Sequence, residues 1–236
     1  MHRILIFNLG GTSTKLAVFD EETLVVEGTI RHTDREIQGC TDNAEQIAFR
    51  RGAIEAWLLE NHISLDDLSA VVIRSSGAGL CKKGGTYLVT GKLRDGMYAA
   101  YRGSFPKAPH PSFIVLPLAD EILGSRPVPI YIVDPDGVDE FQDVAYITGH
   151  PDLPRSSGFH VLNHKAIARK ASRDLGKRYE DADLVVAHMG GGISIAAHRH
   201  GLVVDSTSGG SAGEGPFGTN RTCLLYTSDA ADDLIG

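Results

Sequence analysis

Close to the N-terminus, Asn8-Leu9-Gly10-Gly11-Thr12-Ser13-Thr14-Lys15 brings together an amide, a glycine pair, three hydroxyls and a cation. Glycines and short polar side chains let backbone N–H groups approach an anion closely, and a lysine beside the turn adds charge, so the combination suits a phosphate. It is not the Walker pattern, because no G-x-x-x-x-G-K-[ST] run occurs and no helix is expected after the loop. Taken alone, Gly-Gly-Thr-Ser also makes an ordinary hairpin. A second cluster, His188-Met189-Gly190-Gly191-Gly192, follows the strand-like run Leu184-Val185-Val186-Ala187. Ile4 to Gly11 and Leu184 to Gly191 align 180 positions apart, polar residue with polar residue and glycine pair with glycine pair. Two such loops from a duplicated unit can grip the phosphates of one nucleotide. The competing explanation is two unrelated hairpins that both need glycine.

These loops need elements to hold them. Residues 3–7, 14–19 and 24–29 read as an antiparallel meander, turned first at the glycines and then at Asp20-Glu21-Glu22. Asp42-Asn43 is placed to cap a helix running to about residue 61, with Ala44, Ile47, Ile54 and Leu58 at helical spacing and Trp57 beside them. A strand at 70–73 follows. Between 74 and 112 the pattern yields only a strand at 87–89 and a short helix near 93–101. Residues 114–123 read as helical apart from Pro117, and 129–133 as a strand that ends at Asp134-Pro135. Phe159, Leu162, Ala166, Ile167, Ala171 and Leu175 form an apolar stripe predicted to face the core, with Lys165, Arg169, Lys170 and Arg173 facing away and Gly176 ending the helix. Strands at 184–187, 193–197 and 202–204 complete a second series, so the chain reads as α/β with two similar halves.

Composition narrows the partners. A net charge of -7 and a pI near 5.8 argue against nucleic acid or a membrane surface, which need a positive field. No apolar run approaches the roughly 20 residues of a bilayer span and none resembles a signal peptide, so the expectation is a cytoplasmic protein. Cys40, Cys81 and Cys223 are widely spaced and odd in number, and read as free thiols. The 27 glycines among 236 residues exceed the usual share of roughly 7%. They are expected in turns where backbone approaches a ligand.

Several spaced motifs agree in order: Ile6 to Lys15, Ile132-Val133-Asp134-Pro135, Gly158-Phe159-His160, His188 to Gly192, and Gly213-Glu214-Gly215-Pro216-Phe217. Together they resemble the butyrate kinases of the acetate kinase family, within the actin-like, sugar-kinase and heat-shock-ATPase superfamily. The resemblance implies duplicated ribonuclease-H-like domains and a cleft in which ATP and Mg²⁺ act on a short-chain carboxylate, reversibly giving acyl phosphate and ADP. Carried onto this chain, it makes Asn8, Gly10, Gly11, Ser13 and Lys15 one phosphate loop and His188, Gly190, Gly191 and Gly192 the other. Arg74 and Arg221 become active-site arginines, His110 an active-site histidine, and Asp134 the catalytic acid and magnesium ligand. Phe159 lines the acyl pocket and His160 contacts the transferring phosphoryl group. Phosphoryl transfer spreads negative charge over three oxygens, and Arg74, His160 and Arg221 are the donor types that such charge requires. The resemblance also implies a homodimer or larger assembly.

This chain departs from that pattern in places. Gly11 stands where the family usually has a serine, and Pro111-Ser112-Phe113 replaces a small polar segment after His110. Ser75-Ser76, if they face the acyl chain, leave room beyond acetate. Residues 223–236 resemble translated transposon-adapter DNA, so the expected organisation is a first actin-like domain at 1–150, the start of a second at 151–222, and a non-native tail. Two other readings stay open: a non-catalytic nucleotide-binding module or inactive fragment, and a kinase acting on a sugar.

Overall fold

The structure, a computed structural model, describes residues 1–103, 111–147, 155–189 and 193–207. They divide into two units, one of Met1–Leu80 and Thr86–Val133, the other of Cys81–Gly85 and the chain from Asp134 onward.

In the first unit, β1 (Arg3–Leu9), β2 (Ser13–Asp20) and β3 (Thr23–Arg31) form the expected meander, each strand slightly longer than its apolar run. Helix α1 (Asp34–Gly39) was not foreseen; Thr33 and Glu36 close it with a capping box. The Asp42 side chain caps α2 (Asn43–Glu60), accepting from Glu45 N–H at 2.8 Å. After β4 (Ala70–Ile73), β5 (Thr86–Leu88) and α3 (Gly91–Gly103) come α4 (Pro111–Leu123) and β6 (Ile130–Val133). The sheet order is β3-β2-β1-β4-β6-β5, with β1, β4 and β6 parallel and the others antiparallel.

Alternation sets the buried face of this sheet. Leu5, Phe7 and Leu9 of β1, Val71 and Ile73 of β4, and Ile130 and Ile132 of β6 are buried, each worth about 1.5–3 kcal/mol. Helix α4 packs on β1, β4 and α2. It keeps Pro117 inside, losing a backbone donor, because Ile114, Val115, Leu116, Leu118, Ala119, Ile122 and Leu123 are all buried around it.

The second unit carries α5 (Val161–Asp174) and an antiparallel sheet of β7 (Leu184–Met189), β8 (Ile193–Arg199) and β9 (Leu202–Ser206). This meander repeats the β1-β2-β3 pattern. The second and third strands of each slip register part-way along, between Val18 and Phe19 in one and Ala197 and His198 in the other. Val138, Phe141 and Ala145 share a core cluster with Phe159, Val161, Ala196 and Val203, so residues 134–147 pack with the second unit.

The face of α5 differs from the sequence expectation. Val161, His164, Lys165, Ala168 and Ser172 are the buried positions, while Ile167 and Leu175 are 47% and 62% exposed. One of the inward positions is a charge. Lys165 Nζ lies 2.8 Å from Glu140 Oε2, and that carboxylate also accepts from Gly84 N–H at 2.6 Å and Val203 N–H at 2.9 Å. A stripe drawn from apolar residues alone does not count an internal ion pair.

Candidate active site

The β1-β2 turn is built from beneath by a residue that the sequence reading passed over. Arg50 on α2 is fully buried. Its Nη2 donates to Gly10 O and Gly11 O at 2.9 Å each, and its Nη1 to Ser13 O at 3.1 Å and Thr14 Oγ1 at 2.9 Å. His32 supports the same turn, its N–H donating to Thr12 O and its Nε2 lying 2.8 Å from Thr14 Oγ1. Of the three hydroxyls, that of Thr14 therefore faces inward. Burial lowers the Arg50 pKa to about 10, so the group stays charged at neutral pH, and among the described residues it forms no ion pair with a carboxylate.

Within the turn, Gly10 N–H donates to Ser13 O at 2.8 Å, so that donor is used internally. A Cβ at Gly11 would meet nothing within 4 Å, so a serine hydroxyl would fit at this position. Asn8 and Lys15 face each other across the ladder and border a groove of about 520 Å³ shared with Glu27 and Thr29. Arg74 follows β4, and its N–H donates to Phe7 O at 3.0 Å. That bond puts Arg74 at the same end of the sheet as Asn8, beyond the carboxyl ends of the parallel strands, where ligands bind in open α/β sheets. Ser75 is buried, and its hydroxyl donates to Ser112 O.

In the second unit, His160 and His188 come together. His160 is the N-cap residue of α5 and His188 lies in β7, and their rings stack with centroids 3.8 Å apart and planes 9° apart. His160 Nδ1 lies 2.9 Å from Ser194 Oγ, and His188 Nδ1 lies 2.9 Å from Asn163 Nδ2. His164, which the sequence reading left unassigned, is buried one turn along α5, with Nε2 2.8 Å from Ser194 Oγ. Its i, i+4 spacing from His160 was the available signal. Burial is the first cause that lowers the His164 pKa to about 4, and it lowers that of His198 equally.

Phe159 is the residue expected to line the acyl pocket. It is 3% exposed, stacked against Phe141 with centroids 6.4 Å apart and edge-on to His164, so it serves the core. Asp134 follows β6 with a positive φ of 42°, a left-handed conformation that aspartate tolerates better than most residues. Its N–H donates to Gly85 O, and its Oδ1 accepts from Gly85 N–H at 2.8 Å. Arg169 closes the other side, Nη1 lying 2.5 Å from Oδ2. With no exposed side-chain surface, this carboxylate does not fit the expected magnesium role as placed, since a cation would have to displace Arg169. No group of three or more His, Cys, Asp or Glu among the described residues could hold a metal ion. His110, Gly190, Gly191, Gly192, Arg221 and the segment 223–236 lie outside the described residues.

Residues 150–221 match the model of the Acetokinase family. Over 224 residues, 94% of this chain and 61% of the relative, the sequence is 41% identical to butyrate kinase 1 of Clostridium acetobutylicum. The chain thus spans about three fifths of the length of the curated relatives it matches. Among solved structures, the acetate kinase of Entamoeba histolytica superposes with a TM-score of 0.63 at 18% identity, covering 88% of this chain and 55% of that one. A propionate kinase of Francisella tularensis gives 0.62 at 18% identity, covering 89% and 58%. No helix among the described residues is long and apolar enough to cross a membrane. The chain is similar over most of its length to the butyrate kinases, matches the Acetokinase-family model at residues 150–221, and has the α/β fold of the acetate and propionate kinases.

Proposed function

We propose that this chain carries the phosphate loop and phosphoryl-group donors of an acyl kinase, which transfers phosphate reversibly between ATP and butyrate or a similar short or branched carboxylate. The supporting observation is the 41% identity to a butyrate kinase over a stretch that includes the Arg50-braced turn, Arg74 and the His160–His188 pair. Asn8, Ser13 and Lys15 bind nucleotide phosphate on the first unit. Arg74, His160 and His188, with His110 and Arg221, supply donors to the charge that develops on the transferring group. A carboxylate nucleophile is already anionic at neutral pH, so the chain needs to orient it but not to deprotonate it. Magnesium enters with ATP as part of the substrate. Asp134 fixes Arg169 and the Gly85 backbone within the second unit. The active form is a homo-oligomer.

The test is hydroxamate formation from ATP, hydroxylamine and acetate, propionate, butyrate or isobutyrate, using this chain and a version extended to the length of its relatives. The expected result is turnover in the extended version with kcat/KM highest for a four-carbon acid. Acetate winning clearly would overturn the chain-length reading, and ATP binding without turnover on any acid would favour a non-catalytic module. Asp134→Asn should abolish hydroxamate formation while ATP still binds. Near-normal turnover in that variant removes Asp134 from the centre.

A further inference from the structure

Arg50 commits all five of its N–H donors to neutral acceptors. Nε donates to Gln46 Oε1 at 3.3 Å, and the other four reach Gly10 O, Gly11 O, Ser13 O and Thr14 Oγ1 at 2.9–3.1 Å. No donor is left over for a carboxylate, although a buried charge is costly unless an opposite charge answers it. The same bonds fix which way the peptides of the turn face. A trans peptide holds its C=O and N–H on opposite sides, and none of the described peptides is cis. With Gly10 O and Gly11 O drawn to the guanidinium, the N–H groups of Gly11 and Thr12 face away from it. Both residues are exposed, and neither N–H has a hydrogen-bond partner among the described residues. Nor does the turn hold this shape by itself. The bond from Gly10 N–H to Ser13 O leaves Gly11-Thr12 as a two-residue loop. Such hairpins favour I′ or II′ turns, which need a positive φ at the first loop residue, and neither Gly11 nor Thr12 has one.

We propose that Arg50 is a positioning residue for anion binding: it turns the Gly11 and Thr12 N–H groups outward as paired donors to a phosphate oxygen, with its own charge lying behind them. Successive backbone N–H groups that face one way make a concave donor site for an anion. The carbonyls that would repel the anion are held on the inner side. A phosphate bound outside is then the counter-charge that no side chain bonded to Arg50 supplies, attracted across the thickness of one turn. The proposal rests on the reading of this turn as a phosphate loop.

Amide ¹H–¹⁵N spectra of this chain, titrated with inorganic pyrophosphate at constant ionic strength, report the two donors directly and need no turnover. The expected result is a saturable shift at Gly11 and Thr12 that chloride does not give. No such shift in the wild type overturns the reading of the turn as a phosphate loop, and the proposal with it. Gln46→Glu then places a carboxylate where Arg50 Nε already donates. Its urea midpoint should stay at or above that of the wild type, while the Kd for pyrophosphate rises roughly threefold or more because the charge is answered from inside. A residue that only holds the fold would not weaken binding in a variant that is no less stable. Arg50→Lys keeps the charge but loses the fork that orients the peptides, and should raise that Kd roughly tenfold under conditions where it is folded. Pyrophosphate binding with an unchanged Kd in either folded variant overturns the role of Arg50 and leaves the phosphate loop standing, whatever the acyl kinase assay gives. If one variant does not fold, the other decides.

Discussion

Lys165 Nζ lies 2.8 Å from Glu140 Oε2, with 3% and 2% of the two side chains exposed. Removing one partner of such a pair leaves a buried, uncompensated charge. Lys165→Met should therefore cost about 3–5 kcal/mol, read as a lower urea midpoint with unchanged slope. Glu140 also accepts from Gly84 and Val203 N–H groups, so Glu140→Leu should be at least as damaging. The neighbouring backbone admits no side chain: a Cβ on Gly84 would sit 2.4 Å from Lys165 Nζ and 2.8 Å from Asp134 Oδ1. Gly84→Ala should lower the midpoint too. A change under about 0.5 kcal/mol for Lys165→Met, the range of ordinary surface substitutions, would mean that the pair is solvated.

What the sequence made legible was local. Alternating runs and the capping Asp42 placed β1 to β4 and α2, and the Gly10-Gly11 pair beside polar residues marked the first hairpin, because strand alternation and turn chemistry act over a few residues. The ion pair of Lys165 and Glu140 joins positions 25 apart, and Arg50 reaches back 40 residues to Gly10. No periodicity records such partnerships. A lysine among arginines on a helix looks like a solvated face until the carboxylate that meets it is known. Phe159 and His160 show the same limit: the dipeptide was noticed, yet only packing separates the core ring from the one near polar groups.

The close approach of α2 to β3 is readable by fluorescence. A Cβ added to Gly28 would lie 2.3 Å from Trp57 Nε1 and 2.9 Å from its Cε2, and Trp57 is the chain's single tryptophan. Gly28→Ala should push the indole outward, with a red-shifted emission maximum and a stability loss of about 1–3 kcal/mol from overpacking. Unchanged emission and midpoint would mean that the ring shifts freely.

Acid should unfold the second unit early. His164 and His198 have folded pKa values of about 4, below the ordinary 6.5. As pH falls the unfolded chain takes up protons first, so the stability tied to keeping these rings neutral is complete above about 6.5 and is lost toward 4. Each ring is worth on the order of 3 kcal/mol across that window. Urea midpoints taken from pH 7.5 to 4.5 should fall, and His198→Leu should flatten the fall. Constant midpoints over this range would contradict the buried, neutral assignment.

Arg50 offers the sharpest separation between holding a loop and merely filling space. Its planar guanidinium serves Gly10 O, Gly11 O, Ser13 O and Thr14 Oγ1 at once, and it draws their oxygens inward, away from any anion bound on the outer side of the turn. Lysine keeps the charge but offers a single point donor, so it cannot reach all four acceptors. Arg50→Lys should lose roughly 1–3 kcal/mol of stability, because part-buried carbonyls lose their donors and the buried Thr14 hydroxyl loses one. If the turn binds nucleotide phosphate, the same variant should raise KM for ATP while leaving KM for the carboxylate within error in the extended enzyme. Arg50→Met, which keeps bulk but no donor, should be worse on both counts. A lysine variant with wild-type stability and ATP affinity would show that the loop holds its shape without the fork, and the turn would then be an ordinary hairpin.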